Sequence, residues 1–112
     1  MLPGENRLIQ KKDFEEIHRS GSFFSFGRLS LKIKKNNLNR TRIGFSIGIK
    51  FSPKAVERNK LKRQLRELVR KELERLQKGF DIIISVNSKE KNVPSEELEK
   101  NLNAIFKKAK LI

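Results

Sequence analysis

The sequence of 112 residues contains no cysteine, no tryptophan and no tyrosine, and its only histidine is His18. Without cysteine, disulfide bonds, thiolate zinc sites and cysteine nucleophiles are excluded. No apolar run approaches the ~20 residues of a membrane-spanning helix. The first residues also lack the apolar segment of a signal peptide. We therefore expect a cytoplasmic protein.

The residues present do not readily form a catalytic site in the protein itself. His18 has no cysteine partner, the carboxylates lack the spacing of a two-metal site, and there is no glycine-rich phosphate loop. The acidic residues Glu96, Glu97 and Glu99 stand at the predicted start of a helix, where negative charge complements the helix dipole. We predict no catalytic residue and no metal ligand in this chain.

What the sequence has in excess is positive charge, with 27 Lys and Arg against 13 Asp and Glu and a net charge of +14. Such an excess repels itself and fits a partner of opposite sign, either a nucleic acid or an anionic membrane surface. A chain of this length forms one domain around one modest core. We predict a single domain over residues 1–112, beginning with an extended basic arm at 1–8.

The positive charge is concentrated in a helix predicted within residues 52–78. Ser52 and Pro53 are expected to open this helix, and Gly79 to end it. Its apolar residues fall within one arc of roughly 140° at helical spacing: Leu61, Leu65, Leu68, Val69, Leu73 and Leu76. A row of cations at i, i+4 spacing follows one flank of that arc: Arg58, Lys62, Arg66 and Arg70. Cations in the first turns oppose the helix dipole, so the pattern favours a docked polyanion over a solvated charged face.

The other elements follow from hydrophobic periodicity and turn residues. A first helix is predicted over 11–20, closed by Gly21, and a last helix opens at Pro94 and Ser95. The extended segments are 23–26 (a short strand or a packed loop), 28–34, 42–50 and 80–86. Strands 28–34 and 42–50 alternate apolar and polar residues and are predicted to pair as an antiparallel hairpin. The order α-β-β-α-β-α, with one further strand at 23–26, predicts an α+β two-layer sandwich.

Residues 54–67 read Lys-Ala-Val-Glu-Arg-Asn-Lys-Leu-Lys-Arg-Gln-Leu-Arg-Glu. They closely resemble the signature of the bacterial ribonuclease P protein subunit, Ala-Val-x-Arg-Asn-Arg-x-Lys-Arg-x-x-Arg-Glu. Lys60 stands where that signature has arginine, so the charge is kept but the planar guanidinium fork is not. The pair Arg42-x-Gly44 also matches the family, whereas Gly48 and Phe51 stand where serine and lysine are usual.

The resemblance implies a fold like the second domain of ribosomal protein S5, with a left-handed β-α-β crossover through the central helix, which is an exception to the usual hand. It also implies a function. In bacterial ribonuclease P the RNA subunit removes the 5′ leader of precursor tRNA by magnesium-dependent hydrolysis, and the small basic protein binds that RNA and the leader. The implied partners are ribonuclease P RNA and precursor tRNA, and magnesium would be held mainly by RNA and substrate.

The resemblance also implies two sets of site residues. The RNA subunit would face the central helix at Arg58, Asn59, Lys60, Lys62, Arg63 and Arg66. The leader would lie in a cleft between the first helix and the open sheet face, with Phe14 and His18 stacking on unpaired bases. Arg28, Ser30, Lys32, Ser46 and Lys50 would form the floor of this cleft. Alternatively, Phe14 is a core residue, His18 a surface residue and the floor an ordinary solvated sheet face.

Two further classes of function stay open. A non-catalytic RNA-binding protein, such as a ribosomal or assembly protein of the same fold, would share the charge and the basic helix but would need no selectivity for the leader. A membrane-surface protein is disfavoured, because the apolar arc of the central helix stands between two strands in the sequence and should be buried.

Overall fold

The computed structural model describes residues 3–8 and 10–112. The elements in chain order are α1 (Lys11–Ser20), β1 (Ser22–Phe26), β2 (Leu29–Lys35), β3 (Arg42–Ser46), α2 (Ala55–Glu72), β4 (Phe80–Val86) and α3 (Ser95–Lys108). Short 3-10 turns lie at Gly4–Asn6 and Leu73–Arg75. The predicted α+β fold is therefore confirmed, and residues 23–26 belong to a strand. Positions 1 and 2 of the predicted basic arm lie outside the described residues.

The four strands form one sheet in the order β1-β2-β4-β3. Strand β2 is antiparallel to β1 and to β4, whereas β3 is parallel to β4. The predicted hairpin between β2 and β3 is thus wrong, because β4 lies between them. Ile82, Ile83 and Ile84 are at most 1% exposed, and a strand that is apolar on both faces belongs in the interior of a sheet. Helix α2 joins the parallel neighbours β3 and β4; the left hand of this crossover stays a prediction.

Helices α2 and α3 cover one face of the sheet and enclose the main core. The sheet contributes Leu29, Leu31, Ile43, Ile82 and Ile84 to this core, and α2 contributes Leu61, Leu65, Leu68 and Val69. The apolar arc of the central helix is therefore buried, as predicted. Helix α1 lies on the other face, where Ile17 packs with Leu8 and Ile83 in a smaller cluster. Within residues 3–8 and 10–112, no helix has the length and apolar character needed to cross a membrane.

Three element boundaries differ from the predictions by more than one residue. Helix α2 ends at Glu72 and is followed by the 3-10 turn at Leu73–Arg75, so Gly79 does not end the helix. Strand β3 ends at Ser46 rather than at Lys50, and Ile49 is 74% exposed, so the alternation of apolar residues does not continue as a buried strand. Helix α2 begins at Ala55, with Lys54 as its N-cap residue. Ser52 does not cap the helix: its hydroxyl accepts the Lys54 N–H at 3.1 Å and donates to the Glu57 carboxylate.

Candidate nucleic-acid interface

The cationic row of α2 faces strand β3 and the loop that precedes the helix. Arg58 Nη1 donates to the Ser52 carbonyl oxygen at 2.9 Å, and the Arg66 guanidinium lies 6.0 Å from the centroid of the Phe45 ring on β3. Lys62 stands one turn from each, and all three side chains are half-buried. These contacts hold two of the three charges in place along one flank of the helix.

The remaining predicted RNA-binding residues of α2 lie further from the core. Asn59 and Arg63 are exposed beside the cationic row, and at about 100° per residue the five positions span roughly 140° of the helix surface. Lys60 points to the other flank, where it lines a small cavity with Gln64 and Val93. The structure therefore brings five of the six residues together and places Lys60 apart.

Two carboxylates moderate the charge of this helix. Arg70, the fourth cation of the i, i+4 row, forms an ion pair with Glu67 at 2.6 Å, and this hydrogen bond lowers the pKa of Glu67. Nearer the start of the helix, the Ser52 hydroxyl lowers the pKa of Glu57, helped by the charges of Lys54, Lys91 and Lys60. Lys62, Arg63 and Arg66 lie between these two sites, and among the described residues no carboxylate forms an ion pair with them.

On the other face of the sheet, α1 is fitted closely against β3 and β4. Phe14 packs with Leu8, Ile17 and Ile83, and its ring lies directly over Gly44. A Cβ atom at position 44 would come within 2.4 Å of Phe14 Cζ. Phe14 is half-buried, so it belongs to the small core and also leaves part of its ring accessible. Its stacking role stays a prediction.

Beside α1 the sheet presents a row of four serines, one from each strand. The register pairs Ser25 with Ser30, Ser30 with Ser85, and Ser46 with Ser85. Ser46 is exposed and Ser25 and Ser85 are half-buried, whereas Ser30 is only 8% exposed. The amide of Asn87 lies 3.4 Å from the Ser30 hydroxyl and helps to cover it. The small side chains make a shallow polar floor on which a nucleic-acid backbone could lie close to the sheet.

The predicted cations of the floor differ in position. Lys32 lies on the α1 face and donates from Nζ to the His18 carbonyl oxygen at 3.0 Å, so it connects β2 to the end of α1. His18 and Lys50 are both exposed, with Lys50 in the loop after β3. Lys34, further along β2, is paired with Glu16, and this hydrogen bond lowers the pKa of Glu16. Lys32 and Ser46 therefore lie on the open face, with the backbone of His18 beside Lys32.

Arg28 does not lie on the predicted floor. It precedes β2 in the β1–β2 turn, and its guanidinium pairs with Glu97 of α3 and with Glu90. The hydrogen bonds that Arg28 donates to Glu97 and Glu90 raise the pKa of Arg28. The alternation of β2 suggested an outward side chain, but strand alternation does not extend into a turn in which Gly27 has a φ of +57°.

Sequence reasoning missed three residues of the open face, namely Phe23, Ser25 and Ser85. Ser85 follows the isoleucines of β4, and its place beside Ser30 depends on β4 lying next to β2. The exposed Phe23 and the half-buried Ser25 belong to β1, which the sequence left open between strand and loop. Residues 22–26 read Ser-Phe-Phe-Ser-Phe, which does not alternate apolar and polar residues, so the sequence carried no periodic signal for the faces on which Phe23 and Ser25 lie.

The Arg42-x-Gly44 pair has a structural explanation. Arg42 donates to both carboxylate oxygens of Asp81, at 2.8 and 2.6 Å, and this hydrogen bonding raises the pKa of Arg42. Asn36 donates to the same carboxylate at 2.9 Å. Arg42 thus links β3 to β4, and the absence of a side chain at Gly44 leaves space for the ring of Phe14.

Comparison with known proteins decides the family. A family model described as Ribonuclease P matches residues 2–110. The chain belongs to the ribonuclease P protein family. It is 38% identical over 113 residues to the ribonuclease P protein component of Pseudanabaena sp., covering 100% of this chain and 97% of that protein.

Solved structures of ribonuclease P proteins have the same fold. The ribonuclease P protein from Thermotoga maritima superposes with a TM-score of 0.81 and 30% identity, covering 90% of this chain and 96% of that one. A Staphylococcus aureus RNase P protein mutant with defective mRNA degradation activity gives a TM-score of 0.86 and 25% identity, covering 96% and 91%. The fold predicted from the resemblance is confirmed by these likenesses.

Proposed function

We propose that this protein is the accessory subunit of a ribonuclease P holoenzyme, which removes the 5′ leader of precursor tRNA. In this proposal α2 binds the catalytic RNA subunit through Arg58, Asn59, Lys62, Arg63 and Arg66, with Lys60 contacting RNA from the other flank. The leader lies across the open face of the sheet beside α1.

The observation that carries the proposal is the fixed cationic flank of α2. Arg58 is held by a backbone carbonyl and Arg66 by the Phe45 ring, so these charges are oriented before any partner arrives. Their repulsion disfavours the isolated helix, and phosphates placed against them would relieve it. Contacts of lysine and arginine with phosphate supply affinity with little sequence preference, as binding to a folded RNA requires.

Magnesium would be held mainly by the RNA subunit and the substrate. The part of the chain that the structure describes contains no group of three or more His, Cys, Asp or Glu side chains that could share a metal ion. When bound in the RNA, the metal would supply the activated water for hydrolysis. The protein's own contribution is binding: its cations reduce the repulsion between leader, RNA subunit and substrate, so less magnesium is needed for their association.

The test is reconstitution with a bacterial ribonuclease P RNA, with leader removal from precursor tRNA followed at limiting magnesium. We expect the protein to restore cleavage that the RNA alone performs poorly. We also expect the complex to bind precursor tRNA more tightly than mature tRNA. Failure to promote cleavage would contradict the proposal, and equal affinity for both tRNAs would favour a non-catalytic RNA-binding protein.

Charge reversal at Arg63 tests the α2 surface with little risk to the fold, because Arg63 is exposed. Arg63→Glu should weaken binding of the RNA subunit by about tenfold or more, since it replaces an attraction to phosphate by a repulsion. The matched control is Lys100→Glu on α3, a similarly exposed cation outside the proposed surface. Equal losses in the two variants would show a response to net charge alone and would contradict a role for this surface.

A further inference from the structure

Phe23 is an exposed aromatic residue on the face that the proposed leader would occupy. Its side chain is 61% exposed. Its neighbour Phe24 packs against the main core, and successive side chains of a strand point to opposite faces, so Phe23 faces the α1 side. Its partner across the β1–β2 pair is Lys32, which also lies on that side.

Phe23 lies beside a cation and near the C-terminal end of α1. Lys32 is directly opposite Phe23 in the register and donates to the backbone of His18. Helix α1 ends at Ser20, and β1 begins at Ser22, so His18 and Phe23 stand on either side of a single short connection. The serine row lies two residues further along the strands, with Ser25 on the same face of β1.

Folding of the isolated chain does not account for a phenylalanine at this position. An exposed apolar ring adds little to the hydrophobic stabilisation of the fold, because it stays in contact with water. An edge strand with uncharged aromatic side chains is also prone to pair with strands of other chains. Part of this edge is protected, because Lys108 of α3 donates to the Ser25 carbonyl oxygen at 3.0 Å. That contact disfavours pairing of β1 with a second copy of the chain and leaves the face of the Phe23 ring accessible.

We propose that Phe23 stacks on an unpaired base of the RNA strand bound across the open face, with Lys32 contacting its phosphate. The inference rests on the proposed function and adds a residue outside both predicted sets. Aromatic rings stack on unpaired bases with little dependence on sequence, and the net charge of +14 favours a polyanion over an apolar protein partner. Phe23 is then a positioning residue for the leader, at the β1 edge of the cleft.

The test compares Phe23→Ala with Phe26→Ala in the reconstituted holoenzyme. Phe26 is the matched control, since it lies on the same strand, is 47% exposed and is paired with the core residue Leu29, on the opposite face. Two substrates are used, a precursor tRNA with a long unpaired leader and one with a leader of a single nucleotide. Phe23→Ala should weaken binding of the long-leader substrate about 5- to 20-fold, in the lower part of the range for loss of one stacked base, and leave the short-leader substrate unchanged.

A second variant, Phe23→Trp, keeps the ring and introduces the only tryptophan of the chain, because the sequence contains none. It should retain leader affinity, and its fluorescence should be quenched by the long-leader substrate but not by the short one. Phe26→Trp should show no such difference.

The outcomes separate this inference from the proposed function. If the wild-type protein promotes cleavage while Phe23→Ala binds the long leader as well as the wild type does, the stacking role is wrong and the proposed function stands. A Phe23→Ala effect of equal size on both substrates would likewise overturn it. If Phe23→Ala changes the sedimentation of the free protein but not its affinity for the leader, the ring mediates contact between copies of the chain. That outcome also contradicts the proposal. If the wild-type protein fails to promote cleavage, the proposed function itself fails.

Discussion

At Gly44 the Phe14 side chain of α1 lies directly against the backbone of the sheet. The space that a Cβ atom would need is occupied by Phe14 Cζ at 2.4 Å, Phe14 Cε1 at 2.9 Å and Leu8 Cβ at 3.2 Å. Interiors packed at this density do not absorb an added methyl group without displacement of a neighbour. The position of the Phe14 ring therefore depends on the absence of a side chain at 44.

Gly44→Ala should displace Phe14 and destabilise the protein by about 1–3 kcal/mol, the usual cost of overpacking. Shortening the ring by Phe14→Leu should make room for the new methyl group, so the double variant should be more stable than the sum of the two single changes predicts. Urea denaturation of the four proteins measures this coupling. Additive effects would show that the ring and the methyl group do not compete for the same space.

At the scale of the elements, the start of α2 is held by an internal contact between Ser52 and Glu57. Ser52 is 1% exposed, and its hydroxyl joins the Lys54 N–H to the Glu57 carboxylate. This contact compensates for the cations in the first turns, because Glu57 places a negative charge at the positive end of the helix dipole. It also makes the helix start sensitive to acid.

We expect the contribution of Glu57 to depend on pH in a defined direction. Hydrogen bonding by Ser52 lowers the folded-state pKa of Glu57 below its ordinary 4.5, so the unfolded state binds more protons there. The stabilisation is complete above pH 4.5 and is lost as the pH falls through the lowered pKa. The NMR titration of the Glu57 carboxyl carbon should show the lowered pKa in the wild type and a higher one in Ser52→Ala.

The stability of Ser52→Ala completes this test. At about pH 7 the variant should lose about 1 kcal/mol, the typical net contribution of one hydrogen bond to stability, and its loss relative to the wild type should shrink in acid. Glu16 and Glu67 also have lowered pKa values, but both are retained in the variant, so the difference isolates Glu57. Ser22→Ala, at an exposed serine of β1, is the control. A loss that does not change with pH would rule out the linkage.

The elements themselves could be predicted because each depends on local pattern. Helix α1 ends where Gly21 follows Ser20, and α3 begins after Pro94, both as predicted. The reason for Gly21 differs from the usual one: its φ is −77°, so it adopts no left-handed conformation. Glycine is required there because a Cβ atom would lie 2.6 Å from the Ile17 carbonyl oxygen.

The pairing of the elements could not be read from the same pattern. Alternation in 28–34 and 42–50 identifies two half-buried strands but carries no information on which strand lies between them. The apolar run 82–84 is typical of an interior strand, and β4 is one, but the run does not indicate which two strands flank it. Arg28 was misplaced for a related reason, because its partners Glu90 and Glu97 are more than 60 residues away in sequence.

At the scale of the whole molecule, the net charge of +14 destabilises the folded state but favours the binding of a polyanion. Like charges repel within the folded chain, and salt screens that repulsion. Phosphate contacts gain from the release of counterions, and salt weakens them. The same cations should therefore make the free protein more stable, and the proposed RNA complex weaker, as the ionic strength rises.

We expect the thermal midpoint of the free protein to rise between about 50 and 200 mM salt while its affinity for ribonuclease P RNA falls by about 10³-fold or more, if six or more phosphates are neutralised. Arg63→Gln should reduce the slope of log affinity against log salt by about one, because one phosphate contact is lost. Lys100→Gln, which removes the same charge from α3, should leave that slope unchanged. If both variants change the slope equally, the RNA responds to the total charge and not to the flank of α2, whereas a difference between them locates the polyanion on that helix.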